Sequence, residues 1–219
     1  KLKDIEEKIS KTLKETFLVE GFEVFDIKLR EKPRIKNPKT TDFWGGYQVE
    51  FKLIDNESYK QFKNDRNVLR RNSIILRDQN KRKFTIDISK FEYIENKKED
   101  DLDGYVIYVY SPEMIVLEKL RAICQQMPEY SQIIESNTRS ARARDFFDIY
   151  TIISHFKIQI EDDKNIELLK TIFEAKRVPL CFIDKIKEYR EFHRPDFVSV
   201  ENTIKRGVEL KDYDYYFDY

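Results

Sequence analysis

Arg142-Ala143-Arg144-Asp145-Phe146-Phe147-Asp148-Ile149-Tyr150 sets two acids where a helix should be apolar. On a 3.6-residue period Asp145 and Asp148 share a face with Ala141, Ile149 and Ile152. A carboxylate packed there costs several kcal/mol unless it is paired or coordinates a metal. The preceding helical stretch, 112–127, repeats the anomaly. Its apolar positions are Met114, Ile115, Val116, Leu117, Leu120, Ile123, Cys124 and Met127, and Lys119 sits among them at i±3 and i±4 spacing. A lysine on one apolar stripe and two aspartates on the next can line a shared cleft. A structural ion pair, with Lys119 or Arg144 neutralising Asp145, would give the same pattern.

Outward from this pair, the chain divides into two kinds of pattern. Leu2, Ile5, Ile9, Leu13 and Phe17 form a helical stripe that Gly21 stops. Phe25, Ile27 and Leu29 alternate with Asp26 and Lys28, and Tyr47, Val49, Phe51 and Leu53 alternate with Gln48, Glu50 and Lys52, so both read as half-buried strands. Ser58 is a candidate N-cap for a helix holding Tyr59, Phe62, Val68 and Leu69. Phe84, Ile86 and Ile88 alternate with Thr85, Asp87 and Ser89, which turns Asp87 away from the core side of its strand. Residues 105–110 give a further strand. From Pro112 the pattern is helical, over 112–127, about 140–156, 165–176, 181–192 and 197–208. The expected fold is α+β: a mixed sheet with flanking helices over 1–110, then a helical domain over 111–219.

Composition bounds the function. Charged residues are 37% and aromatics 14% of 219 residues, which is globular rather than disordered. No apolar run approaches a membrane span and no signal peptide is visible, so a cytoplasmic protein is expected. Cys124 and Cys181 read as two reduced core thiols, and His155 and His193 as surface or capping groups. Zinc spacing, P-loop, dinucleotide loop and Ser-His-Asp motifs are all missing. Net charge is zero, 41 against 41, but nine basic residues between positions 60 and 83 face only Asp65 and Asp78. That run suits a phosphate backbone; the neutral total points instead to a solvated surface. The tail, 213–219, holds five aromatics and two acids and is expected to dock on the body or on another subunit.

Ser111-Pro-Glu-Met-Ile-Val-Leu-Glu-Lys119-Leu-Arg-Ala122, followed by Arg144-Asp145-Phe-Phe-Asp148-Ile-Tyr150, resembles the paired signature of AbiEii/AbiGii-type nucleotidyltransferase toxins, within the DNA polymerase β-like superfamily. The strand Phe84-Thr-Ile-Asp87-Ile-Ser89 resembles the family strand carrying the third metal-site carboxylate. The resemblance implies transfer of a nucleotide from an NTP to an RNA acceptor such as tRNA, with Mg2+ or Mn2+, in a toxin balanced by a separate antitoxin. In those terms Asp87 is a metal-site carboxylate and Lys119 contacts the triphosphate. Asp145 orients Lys119 or a metal-bound water, Asp148 supports the surrounding fold, and Arg142 and Arg144 are candidate phosphate clamps, since a guanidinium fork suits phosphate.

The sequence departs from the family in one respect. The Gly-Ser turn followed by Asp-x-Asp is not found: Gly45-Gly46 lacks the serine, while Asp101-Leu-Asp103 and Asp212-Tyr-Asp214 come too late in the order. The chain opens at Lys1 on the helix that follows that motif in relatives, so the expectation is an enzyme incomplete at its N-terminus and unable to transfer nucleotides alone. Two other classes remain open. Asp26 with Glu50-Phe-Lys52 imitates the Asp…Glu-x-Lys arrangement of metal-dependent nucleases, although cross-strand charge pairs give the same residues. A non-catalytic nucleotide- or RNA-binding module is the third.

Overall fold

A computed structural model describes residues 2–76, 81–102, 104–135, 137–205, 207 and 209–219. Lys1, Arg77 and Asp78 of the basic run, and Asp103, lie outside the described residues. The chain is α+β and forms two compact units, Lys1–Lys90 and Phe91–Tyr219. No helix among the described residues is long and apolar enough to cross a membrane.

In the first unit, α1 (Leu2–Val19) lies on an antiparallel sheet of β1 (Phe22–Lys32), β2 (Gly46–Asp55) and β3 (Phe84–Ser89), in that order. The stripe of α1 is used as its period requires: Ile9, Leu13 and Phe17 pack on Val24, Val49, Phe51 and Leu53. Gly21, at φ +84°, ends the helix by returning its N–H to the Leu18 carbonyl at 3.1 Å. Gly46 answers a different need, since a Cβ there would fall 2.2 Å from the Ile88 carbonyl oxygen of β3.

The simple alternation expected of β1 breaks at Asp26. A bulge between Phe25 and Lys28 gives β1 one extra residue against β2, and Asp26 takes the left-handed conformation at φ 52°. Phe22 and Val24 before the bulge, and Ile27 and Leu29 after it, face the core. The 57–72 helix is also two helices. Asp55, not Ser58, caps α2 (Asn56–Phe62) by accepting the Ser58 N–H at 2.8 Å, and Asp65 caps α3 (Arg66–Asn72). A carboxylate that binds free amides starts a new helix better than it continues an old one.

In the second unit, β4 (Lys98–Leu102) and β5 (Tyr105–Val109) pair only with each other. The acidic segment around Asp101 is therefore partly strand. Ser111 caps α4 (Pro112–Cys124) through the Met114 N–H at 3.3 Å. α4 packs on α5 (Ala143–Phe156) and α6 (Asp163–Ala175), burying Met114, Leu117 and Cys124 completely. Residues 182–201 are short α and 3-10 turns, not the two long helices expected, and the last of them ends at Glu201. The final helix, Tyr213–Phe217, docks on α5: Phe146 meets Phe217 at 4.8 Å between ring centroids and Phe147 meets Tyr216 at 5.1 Å. The tail thus docks on the body, as its aromatic content suggests. Both cysteines are free, but only Cys124 is in the core; Cys181 is exposed.

Candidate nucleotidyltransferase site

α4 and α5 bring the sequence anomalies together. The Lys119 ammonium donates to Asp145 Oδ1 at 2.9 Å and to Asp148 Oδ2 at 2.6 Å. Arg142, the residue before α5, donates from Nη1 to Asp145 Oδ2 at 2.9 Å. Two cations and two carboxylates therefore balance within one cluster. Burial works against the charge on Lys119, but Asp148 and Asp145 outweigh it and hold its pKa above the ordinary lysine value. The lysine is cationic at any physiological pH, and its side chain retains 25% exposure, enough to meet a ligand from solvent.

Two assigned roles change. Asp148 is a direct partner of Lys119, not merely a support for the surrounding fold. The cation that shares Asp145 with Lys119 is Arg142, whereas Arg144 is exposed and reaches Thr203 Oγ1 at 3.3 Å. Arg142 keeps a buried Nε without a hydrogen-bond partner among the described residues, while 37% of its side chain stays exposed.

His193 is a part of the site that sequence reading assigned to the surface. It is 1% exposed, and its Nδ1 accepts the Arg142 backbone N–H at 3.0 Å. Its ring also lies edge-on to Phe146, at 5.4 Å between centroids, and to Phe192, at 5.0 Å. Burial, aided by Arg142, pushes its pKa down to about 4, so it is neutral and free to accept. No periodic signal marks it, since it lies among short turns. α4 carries a further buried charge cluster: Arg121 bonds Glu118, and Glu92 meets Lys176 at 3.1 Å. Burial raises the Glu118 carboxyl above its usual range, with Arg121 opposing and Glu92 adding. This cluster braces one end of the helix that presents Lys119.

Asp87 belongs to the first unit. It is exposed on β3, paired in register with Gln48, and accepts the Gln48 Nε2 amide at 2.8 Å. Among the described residues no three His, Cys, Asp or Glu side chains converge on a metal position. Asp101 bonds the Gly104 N–H at 3.1 Å, Asp212 caps the final helix, and Asp214 is held by Arg190 and Arg194. The described donor set does not fit a two-metal centre, which needs several carboxylates converging on one site.

Asp26, Glu50 and Lys52 do line one cleft of about 340 Å³ on the first unit's sheet. Their acids are already engaged. Asp26 is bound by Arg66 at 2.7 Å and Arg70 at 2.5 Å, and Glu50 by Lys83 at 3.2 Å and Arg30 at 3.5 Å. This is the geometry of cross-strand and strand-to-helix charge pairs.

No curated protein and no solved structure matches the chain. The family description that does match is the nucleotidyl transferase AbiEii toxin of type IV toxin–antitoxin systems, over residues 4–219. A match of that extent covers both units, including the α4–α5 pair and β3, and the chain belongs to the AbiEii family of nucleotidyltransferase toxins.

Proposed function

We propose that this protein transfers a nucleotide from an NTP to an RNA acceptor such as tRNA, with Lys119 as the fixed cation facing the triphosphate. The observation that carries the reading is the clamp on Lys119. Two carboxylates hold its ammonium in one place while a quarter of the side chain stays accessible. Phosphoryl chemistry is served mainly by positioned charge, and a pre-oriented ammonium needs no reorganisation as negative charge develops on the phosphates. Asp145 and Asp148 orient the lysine. Arg142 adds a second cation, and the exposed part of its guanidinium, with 37% of the side chain accessible, suits a phosphate oxygen. His193 fixes the backbone from which Arg142 projects. Asp87 would contribute one acid toward the metal that such chemistry uses, although no group of three metal-ligating side chains forms among the described residues. A separate antitoxin is the partner that the family implies.

The test is label transfer by the intact gene product. α-labelled ATP, CTP, GTP and UTP are supplied in turn with tRNA and magnesium, and label retained on RNA is counted. Transfer of one or more nucleotides is expected, and Lys119→Met should reduce it at least a hundredfold, the scale of losing one oriented electrostatic group. Full transfer by Lys119→Met would refute the assignment.

A further inference from the structure

On the face of the β1–β2–β3 sheet opposite α1, charge is arranged in a way the sequence runs do not show. Alternation along β2 puts Gln48, Glu50 and Lys52 on this face, since Val49, Phe51 and Leu53 fill the core. Lys28 lies opposite Glu50 in register, Arg30 lies opposite Gln48, and Lys83 reaches across from β3. Arg66 and Arg70 enter from α3. Among the described residues, Lys28, Arg30, Lys52, Arg66, Arg70 and Lys83 thus surround only two acids, Asp26 and Glu50.

Both carboxylates are saturated. Arg70 first, then Arg66, hold the Asp26 carboxyl below its usual range against some burial. Burial raises Glu50, yet Lys83, Arg30 and Lys28 bring it below normal. The cations remain in surplus, and Lys52 registers this: burial lowers its pKa, Asp26 opposes, and Arg70, Arg82 and Lys83 lower it further. Such a face gains free energy when another anion arrives. Its shape suits an extended anion. The 340 Å³ cleft and a second of about 330 Å³ both include Arg30 and Glu50, so they adjoin as one trough; the second adds Lys32 and Arg34 and one further acid, Glu31, which Lys36 and Lys90 already engage. Gln48 lines the second cleft and hydrogen-bonds Asp87, which places the trough beside the acid of β3.

We infer that this trough is a phosphate-binding groove that holds the sugar–phosphate backbone of the RNA acceptor alongside Asp87. The inference rests on the acceptor being RNA, as proposed above. Strands fix the positions of Lys28, Arg30 and Lys52, and Arg30 presents a planar fork of the kind that chelates phosphate. Interactions of this type give affinity without sequence selection and depend strongly on salt.

The experiment measures binding apart from chemistry. Fluorescence anisotropy of a labelled tRNA is followed at several salt concentrations without NTP or divalent metal. Wild type should bind with a steep salt dependence. Lys28→Gln/Lys83→Gln should weaken binding roughly tenfold or more, and should flatten the log–log salt slope by roughly 1–2, about 0.7–0.9 for each phosphate that is no longer neutralised. Lys28→Arg/Lys83→Arg should restore it, and Lys170→Gln on exposed α6 should leave it unchanged. Lys119→Met should bind RNA normally while failing to transfer, which separates the groove from the chemistry. Wild-type affinity and slope in the double Gln variant would overturn the groove, as would binding of polyglutamate in place of RNA. A wild-type protein that transfers nucleotides but binds no RNA would also overturn it while leaving the transferase reading intact.

Discussion

Replacing Lys119 with Met separates its structural role from its chemical one, and the size of the structural part can be worked from the geometry. Lys119 makes two charge-assisted hydrogen bonds, at 2.9 and 2.6 Å, each worth about 1.5–3 kcal/mol when both partners are sheltered. Breaking a fully buried pair costs about 3–5 kcal/mol, because a carboxylate is left uncompensated. Here Asp145 keeps Arg142, and Asp148 at 29% side-chain exposure can recover water. Solvent screening of this kind brings the expected loss down to about 2–3 kcal/mol. For a unit of this size that is a fall in melting temperature on the order of 10 °C.

The folded pKa of Lys119 lies above the unfolded one, so its contribution is complete at neutral pH and disappears only as pH rises through the elevated folded value. Denaturant unfolding followed by tyrosine fluorescence reads the second unit. The single tryptophan, Trp44, belongs to the first unit and should show an unchanged transition. Adding Asp148→Asn should recover about 1 kcal/mol by removing the orphaned acid. Lys119→Arg should restore stability to within about 1 kcal/mol without restoring transfer, since a guanidinium cannot reproduce a point charge at that position. Unchanged stability in Lys119→Met would refute the energetic reasoning. Full transfer by Lys119→Arg would show that charge alone, not lysine geometry, matters.

Two further outcomes follow from the second unit. His193 has a folded pKa of about 4, below the ordinary value of 6.5, so the unfolded chain binds its proton first and stability drops as pH falls from 6.5 toward 4; the span is worth about 3 kcal/mol, and His193→Phe should flatten the urea-midpoint profile across that window, a persistent slope of the same size placing the titration elsewhere. Tyr216→Ala empties a site between Phe147, Tyr150 and Phe197 and should cost about 3–5 kcal/mol in the second unit's unfolding transition, while a loss under about 1 kcal/mol would mean the tail is not part of that core.

Much of this was legible in the sequence, for identifiable reasons. The stripe of α1, the alternation of β2, and the acids and lysine on the apolar faces of α4 and α5 are local periodic signals, and periodicity survives into structure when one face is buried. The failures are long-range or subtractive. Position 193 carries no pattern that distinguishes a buried acceptor from a surface histidine; only the Arg142 amide, 51 residues earlier, defines it. The break at Asp65 within the one helix expected to hold Tyr59 to Leu69 was not legible, because capping depends on backbone direction, which composition does not carry. The charged trough was hidden because Lys28, Arg30 and Lys52 alternate with core residues on separate strands, while charge runs register only neighbours in sequence.

The bulge at Asp26 has a consequence for how this protein tolerates change. A strand alternates with period two, so one extra residue reverses every side chain beyond it. If the same residues ran as a regular strand without the bulge, Ile27 and Leu29 would turn outward and Lys28 and Arg30 would turn toward Val49 and Phe51 beneath α1. Deleting Asp26 would therefore leave both rows where they are, because Phe25 would run into Ile27 in unbroken alternation, with Ile27 and Leu29 still facing the core and Lys28 still opposite Glu50. The same deletion would release Arg66 and Arg70 from the carboxylate that anchors α3. The bulge thus keeps the sidedness of the sheet around one inserted residue, and that residue anchors α3.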